Sequence, residues 1–146
     1  MTETALTEWG HRIGRTAALP LVLGLRGELG TGKSVLARAV ARGAGVESPM
    51  PSPTFNLLFV YAAPARSAEV FHLDLYRLRS PDEVWELGWR ELGSGAHLVL
   101  IEWPERAEHL LPEPRWDVRL EFAGDASDLR RVSAQRVGPA AALPEP

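Results

Sequence analysis

The stretch GELGTGKS, residues 27–34, decides the fold of this chain. It follows the short apolar run 21–25 and precedes 34–42, a segment dense in helix-forming residues. The stretch matches the phosphate-loop pattern of a glycine, four residues and then Gly-Lys-[Ser/Thr]. Glycines allow successive backbone amides to turn inward around phosphates, and the positive end of the following helix dipole adds to the same anion site. We therefore expect Lys33 to reach the β- and γ-phosphates and the Ser34 hydroxyl to ligate Mg²⁺.

The lysine of this stretch has no counterpart elsewhere in the chain. Of 16 basic residues, Lys33 is the single lysine and the rest are arginine. A compact ammonium differs from a guanidinium in presenting a point charge, which suits a phosphate. The alternative, a glycine-rich turn without a ligand, would have to place the lone lysine here by coincidence.

Composition limits the classes of protein that this chain can represent. It has 146 residues, a formal charge of −3 and no cysteine. We expect one domain over residues 1–137, followed by a disordered tail at 138–146 that is rich in proline and alanine. Disulfides and cysteine metal sites are excluded, which fits a cytoplasmic location. The sequence contains no apolar run of the roughly 20 residues that span a bilayer, no recognisable targeting signal, and too little clustered positive charge for a dedicated nucleic-acid surface.

The order of apolar runs and helical patterns predicts an α/β domain with a mixed, mainly parallel sheet and antiparallel C-terminal edge strands. Residues 116–122 alternate apolar and polar side chains, as in a half-buried antiparallel strand. Helices are predicted over 4–18, 34–42, 80–87 and 105–110, and strands over 21–25, 54–61, 70–75, 97–101, 116–122 and 129–137.

A site for Mg²⁺ and a triphosphate needs carboxylates at strand ends. Glu102 ends the apolar strand and is placed to hold Mg²⁺ through water, unless it is an ordinary solvated glutamate. Asp74 lies in an apolar setting that a carboxylate enters only with a cation or donors nearby; Arg77 or local backbone could supply them instead. Thr54 is either a sensor of the γ-phosphate and Mg²⁺ or a plain threonine between loop and strand.

Several other polar residues favour structural interpretations. His72 and His97 lie in predicted strands without metal-ligand spacing, and Arg130 and Arg131 are expected on a solvated strand. The guanine motif Asn-Lys-x-Asp is absent because no second lysine exists, so adenine is favoured by elimination.

Five blocks in order resemble the TsaE (YjeE) family, the small bacterial ATPases of tRNA threonylcarbamoyladenosine biosynthesis. They are GELGTGKS at 27–34, SPTF at 52–55, FHLDLYRL at 71–78, ELG at 86–88 and IEWPERA at 101–107. The departures are small: Thr31 replaces the usual alanine, and Ser34 replaces the commoner threonine but keeps the hydroxyl. The C-terminal quarter matches weakly.

The resemblance implies a three-layer P-loop NTPase-like fold and assigns roles to individual residues. Asp74 is similar to the family's essential aspartate, Thr54 to its switch threonine, and Glu102 joins Ser34 at Mg²⁺. The resemblance places a larger set at the nucleotide, of which the last three are weaker candidates: Gly27, Gly30, Thr31, Gly32, Lys33, Ser34, Val35, Thr2, Glu3 and Glu105.

The resulting hypothesis is an Mg²⁺-dependent ATPase that drives or resets a multi-protein assembly modifying adenosine 37 of tRNAs that read ANN codons. By resemblance, its partners are the transferase subunits TsaB and TsaD, with tRNA contacted indirectly and no membrane involved. Two alternatives share the phosphate loop: a small-molecule kinase, and a nucleotide-gated interaction module without turnover. Kinases usually need an arginine-rich lid over the phosphates. The longest predicted loops here, 46–53 and 62–69, contain a single arginine, Arg66.

Overall fold

The computed structural model describes residues 1–51, 57–92, 95–124 and 126–146. Two α-helices and six strands lie within these residues: α1 (Glu3–Thr16), β1 (Leu21–Arg26), α2 (Lys33–Gly43), β2 (Leu58–Ala63), β3 (Ala68–Asp74), β4 (Leu98–Glu102), β5 (Arg115–Ala123) and β6 (Ala126–Val137). Short 3-10 helices cover Pro64–Arg66, Pro81–Leu87, Trp89–Glu91 and Pro104–Leu110. In the described part of the chain, no helix is both long and apolar enough to span a bilayer.

The strands form one mixed sheet in the order β2-β3-β4-β1-β5-β6. The inner strands β3, β4, β1 and β5 run parallel, whereas β2 and β6 are antiparallel to their neighbours. The α/β fold with a mixed, mainly parallel sheet is therefore confirmed. The strand predicted at 116–122 pairs antiparallel with β6, as predicted, and on its other side lies parallel to β1, a pairing that the sequence did not predict. Alternation of side chains reports burial on one face and does not distinguish the two directions.

Each face of the sheet is covered differently, which gives three layers. Helices α1 and α2 pack on one face around Leu6, Trp9 and Leu36. The opposite face is covered by the 3-10 segments, whose Val84 and Trp89 pack with Ile101 of β4. Strand β1 lies between these layers with all of its residues buried, as a continuous apolar run predicts.

The two helices approach each other so closely that glycine is required at their crossing. A Cβ atom on Gly14 of α1 would lie 1.9 Å from the backbone oxygen of Val40 in α2. A Cβ atom on Gly43 of α2 would lie 2.2 Å from the backbone oxygen of His11. The helix that follows the phosphate loop is thus fixed against α1 by backbone-to-backbone packing.

The helix predicted over 80–87 is a 3-10 helix, Pro81–Leu87. The Ser80 side chain makes no capping hydrogen bond, and the Glu83 carboxylate accepts from the backbone N of Arg79 at 3.1 Å instead. Gly88, with φ of +75°, ends the segment. The prediction therefore located this segment correctly but not its helix type.

Residues 138–146 lack helix and strand, yet they lie against the domain. The indole of Trp9 donates to the backbone oxygen of Pro144 at 2.9 Å, and that of Trp116 donates to Ala141 at 2.7 Å. Leu143 packs against the core. The proline- and alanine-rich composition predicts disorder here, which differs from this packing. Composition does not show that the indoles of Trp9 and Trp116 donate hydrogen bonds to backbone carbonyl groups of this segment.

Candidate functional site

The phosphate loop connects the buried strand β1 to the first turn of α2. Gly27, Gly30 and Gly32 have φ values of +145°, +85° and +106°, which L side chains rarely adopt. At the base of the loop, the backbone N and the hydroxyl of Thr31 both donate to the backbone oxygen of Glu28. The glycine pattern is thus explained by a loop conformation that only glycine adopts without strain.

Lys33 lies beneath this loop with only 4% of its surface exposed. Its ammonium donates to the backbone oxygens of Gly27 at 2.7 Å and Glu28 at 2.8 Å, and lies 4.2 Å from the centre of the Trp103 ring. Burial lowers the pKa of Lys33, while the charges of Glu102, Glu105 and Asp74 act in the opposite direction. The cation is therefore partly desolvated and held at the loop by oxygen acceptors and an aromatic face.

Ser34, at the start of α2, contacts the end of β4. Its hydroxyl donates to Oε1 of Glu102 at 2.7 Å, and the other oxygen of that carboxylate lies 2.6 Å from Nε2 of His72. Glu102 is only 2% exposed and His72 only 3% exposed. Three elements, α2, β4 and β3, thus contribute one side chain each to a continuous chain of hydrogen bonds.

Asp74 ends β3 directly opposite Glu102 in the parallel register. Its Oδ1 accepts from the backbone N of Tyr76 at 3.0 Å. Burial raises the pKa of Asp74, the Tyr76 hydrogen bond opposes the rise, and the charge of Glu102 adds to it. Two carboxylates therefore lie side by side at the same edge of the sheet as the phosphate loop.

A cleft of about 240 Å³ lies at this edge of the sheet, and Lys33, Asp74 and Glu102 all face it. It is lined by Leu29, Gly30, Gly32, Lys33, Ser34, Val35, Asp74, Glu102 and Trp103. Trp103 has a left-handed backbone with φ of +57°, and its ring packs on Tyr76 at 5.0 Å between centroids. Most of the residues predicted for the site meet here. Thr54 lies outside the described residues.

A second cavity of about 250 Å³ lies beside the loop. Its walls include Thr2 and Glu3 at the start of α1, Thr31 and Val35 of the loop and α2, and Arg130 of β6. The Thr2 hydroxyl also accepts from the backbone N of Ala5, so this side chain caps α1. Glu105, in contrast, is exposed on the segment after β4 and acts on Lys33 through its charge.

Arg130 is a site residue that the sequence analysis missed. Its guanidinium donates to the backbone oxygen of Thr31 at 3.0 Å and to that of Gly30 at 3.3 Å, and it lies 4.6 Å from the centre of the Phe122 ring. The prediction of a solvated arginine is therefore wrong at this position. No motif could have shown it, because β6 reaches the loop only through sheet pairing with β5.

Arg26, the last residue of β1, connects the loop to the segment after β4. It forms two hydrogen bonds with the Glu108 carboxylate at 2.8 and 2.9 Å and a longer one with Asp117 at 3.3 Å. The hydrogen bond from Arg26 lowers the pKa of Glu108. Arg26 is 8% exposed, so the strand before the loop and the segment after Glu102 are fixed to each other.

Comparison with known proteins gives consistent matches to one family. The family model "Threonylcarbamoyl adenosine biosynthesis protein TsaE" matches residues 1–132. The protein named "tRNA threonylcarbamoyladenosine biosynthesis protein TsaE" in Rickettsia bellii is 43% identical to this chain over 110 residues, which cover 75% of this chain and 74% of the relative. The protein of that name in Bacillus subtilis is 34% identical over 117 residues, covering 80% of this chain and 70% of the relative.

Among solved structures, the crystal structure of YdiB from Bacillus subtilis is similar to this fold. Its TM-score is 0.74 at 26% sequence identity, covering 94% of this chain and 82% of that one. Similarity thus extends beyond the motifs to the arrangement of the sheet and helices.

Proposed function

This chain belongs to the TsaE family of threonylcarbamoyl adenosine biosynthesis proteins, and on that premise we propose that it binds and hydrolyses Mg²⁺-ATP to support the modification of tRNA. The observation that carries the proposal is the convergence of the phosphate loop, Lys33 and two carboxylates in one cleft. A loop of backbone amides, a cation and strand-end acids are the parts that phosphoryl transfer requires.

The triphosphate is proposed to lie against the backbone amides of the phosphate loop, at the start of α2. The glycines at positions 30 and 32 have no side chain and so let phosphate oxygens approach the loop backbone closely. The Lys33 ammonium already lies at the base of the loop and needs only to share its protons between the loop carbonyls and the phosphates. Because burial removes part of its hydration, its attraction for an anion is stronger than that of a surface lysine.

The oxygen donors of the cleft fit Mg²⁺. In the described part of the chain, no three His, Cys, Asp or Glu side chains form a metal-binding group. That suits Mg²⁺, which usually takes one or two protein oxygens and fills its other positions with phosphates and water. Ser34 would supply a hydroxyl ligand, and Glu102, 2.7 Å away, would hold the ion directly or through water. When bound, Mg²⁺ neutralises charge on the β- and γ-phosphoryl oxygens.

Asp74 is proposed to act on the water that attacks the γ-phosphate. It lines the same cleft, and its raised pKa marks a carboxylate that gains from accepting a proton or a hydrogen bond. Support of the Mg²⁺ site through water is the alternative role for this side chain. Thr54 is retained as a proposed sensor of the γ-phosphate by resemblance.

The nucleoside is proposed to occupy the cavity lined by Thr2, Glu3 and Val35. This cavity shares Gly30 and Gly32 with the cleft, so one ligand could extend across both. Adenine is proposed as the base. Glu105 lies on the other side of Lys33 and is a weaker nucleotide contact.

The partners proposed by resemblance are the transferase subunits TsaB and TsaD, in the cytoplasm. The net charge of −3 favours indirect contact with tRNA, through those subunits. The kinase alternative is weakened by Arg66, whose guanidinium donates to the backbone oxygens of Gly14 and Ala17 at 2.6 and 2.7 Å. This arginine is occupied at the C-terminal end of α1 and is not placed to cover phosphates.

The test is phosphate release from ATP by the purified chain, alone and with TsaB and TsaD. We expect slow turnover alone, acceleration by the partners and loss of turnover in Asp74→Asn. Turnover alone at the ~1–100 s⁻¹ typical of kinases would refute the role in an assembly. Nucleotide binding without phosphate release under any condition would favour the gated module, and a phosphorylated small molecule would favour the kinase.

Binding is tested separately with Lys33→Ala. We expect this variant to lose most of its affinity for ADP and ATP in titration calorimetry, because the buried ammonium is the cation nearest the loop carbonyls. Unchanged affinity would contradict the placement of the phosphates.

A further inference from the structure

A buried histidine stands behind the proposed metal ligand. His72 lies on β3, two residues before Asp74, and is 3% exposed. Its Nε2 lies 2.6 Å from Oε2 of Glu102, on the side of that carboxylate away from Ser34. An ionised carboxylate only accepts hydrogen bonds, so with Glu102 ionised this contact requires the tautomer of His72 that has its proton on Nε2.

The contact divides the two oxygens of Glu102 between two tasks. Oε2 is bound to His72 within the sheet, and Oε1 is bound to the Ser34 hydroxyl at the cleft. A glutamate side chain has three rotatable bonds, so a carboxylate fixed at only one oxygen could turn and present a different face. Because His72 holds Oε2 while Ser34 holds Oε1, the carboxylate is fixed at both oxygens, and Oε1 is positioned beside Ser34 before any ion arrives.

We infer that His72 is a positioning residue that orients Glu102 toward the Mg²⁺ of the bound nucleotide. The inference rests on the proposed function, because it requires that Glu102 serve that ion. Groups that hydrogen-bond a metal's carboxylate ligands fix the orientation of those ligands, and their loss typically lowers metal affinity ~10–100-fold. His72 needs no contact with nucleotide or metal to have this effect.

Two substitutions of His72 separate positioning from packing. In His72→Gln the side-chain amide extends about as far as Nε2, so it can donate to Glu102. In His72→Asn the same amide is one methylene shorter and cannot reach. His97 supplies the matched control His97→Gln. It is a partly buried histidine directly before β4, and its Nδ1 accepts from the backbone N of Glu69 at 3.3 Å.

The measurement is the affinity of each protein for the fluorescent nucleotide mant-ADP, in Mg²⁺ and in EDTA. The dissociation constant in EDTA divided by that in Mg²⁺ gives the factor by which the metal strengthens nucleotide binding, independently of turnover. We expect His72→Asn to lower this ratio about tenfold, the smaller end of the usual effect, with the dissociation constant in EDTA unchanged within about twofold. His72→Gln and His97→Gln should keep the wild-type ratio.

The outcomes distinguish this inference from the proposed function. Wild-type protein that fails to bind mant-ADP, or binds it equally in Mg²⁺ and EDTA, overturns the proposed metal-nucleotide site and the inference with it. A normal wild-type ratio that persists in His72→Asn overturns only the role of His72. A ratio lost equally in the Gln and Asn variants also overturns it, because reach would then not matter. Should His72→Asn fail to fold, the fall of the ratio is tested in His72→Phe, which fills the space without a donor.

Discussion

Gly14 sets the sharpest test of how the helix after the phosphate loop is held. Gly14→Ala would place a Cβ atom 1.9 Å from the backbone oxygen of Val40. Ordinary carbon–oxygen contacts lie at about 3.3–3.6 Å, so the two helices would have to part by roughly 1.5 Å. Because a carbonyl within a helix cannot rotate away, relief requires movement of α1 against α2.

Two effects of opposite sign determine the size of the loss. Overpacking of a core costs ~1–3 kcal/mol, and a clash with backbone belongs at the upper end of that range. Replacing glycine by alanine inside a helix gains about 1 kcal/mol from helix propensity. The net expectation is a free energy of unfolding lower by about 2 kcal/mol, or a Tm lower by about 4–8 °C for a domain of this size.

The assay is urea and thermal unfolding followed by circular dichroism, with Gly10→Ala as the graded comparison. A Cβ atom at Gly10 would lie 2.7 Å from the Ala39 methyl carbon, a less severe contact with a side chain, so a smaller loss is expected. Helix propensity alone predicts that Gly14→Ala is more stable than the wild type. That result would refute the close crossing of α1 and α2.

Three further substitutions test the charges around the cleft. Asp74→Asn should raise the free energy of unfolding at pH 7. Folding raises the pKa of Asp74, so the ionised carboxylate destabilises the native state above that pKa. The gain in stability should vanish when unfolding is measured below pH ~4. Glu108→Gln removes the bidentate pair with Arg26 and should lower the free energy of unfolding by roughly 0.5–1 kcal/mol at pH 7. The expected loss is small because the Glu108 side chain is 45% exposed. Folding lowers the pKa of Glu108, so in urea titrations that deficit should persist above pH ~5 and disappear as the pH falls through the lowered pKa. Arg130→Gln should weaken ADP binding about tenfold in titration calorimetry by releasing two loop carbonyls, while Arg131→Gln, whose side chain is 70% exposed, should leave it unchanged.

The sequence predicted the parts of the site that depend on local chain order. Glycine spacing at 27–32, the apolar run of β1 and the acid that ends β4 are each visible in a few consecutive residues. Asp74 stands out because a carboxylate among apolar neighbours needs an explanation. Its position opposite Glu102, however, follows from the parallel register of β3 and β4, which no local pattern specifies.

The features that sequence reasoning missed arise from contacts between distant segments. Arg130 reaches the loop across 99 positions of sequence, and the Arg26–Glu108 pair spans 82. His72 looked like a structural histidine, since a buried hydrogen bond and support of a ligand give the same sequence pattern. The parallel pairing of β5 with β1 was not predicted for a related reason: β1 lies far away in the chain, whereas β6 follows directly.

The position of β1 in the sheet has a consequence for how the protein is made. Leu21 of this strand is paired with Leu98, and Leu23 with Trp116. Local pairing occurs at β2–β3 and β5–β6, so the sheet's middle cannot grow by successive hairpins. As the polypeptide leaves the ribosome, the strand that precedes the phosphate loop emerges before β4 and β5 and has no neighbour to pair with until they are made. A truncated nascent chain would therefore display that apolar segment unpaired, which makes interrupted synthesis a route to aggregation.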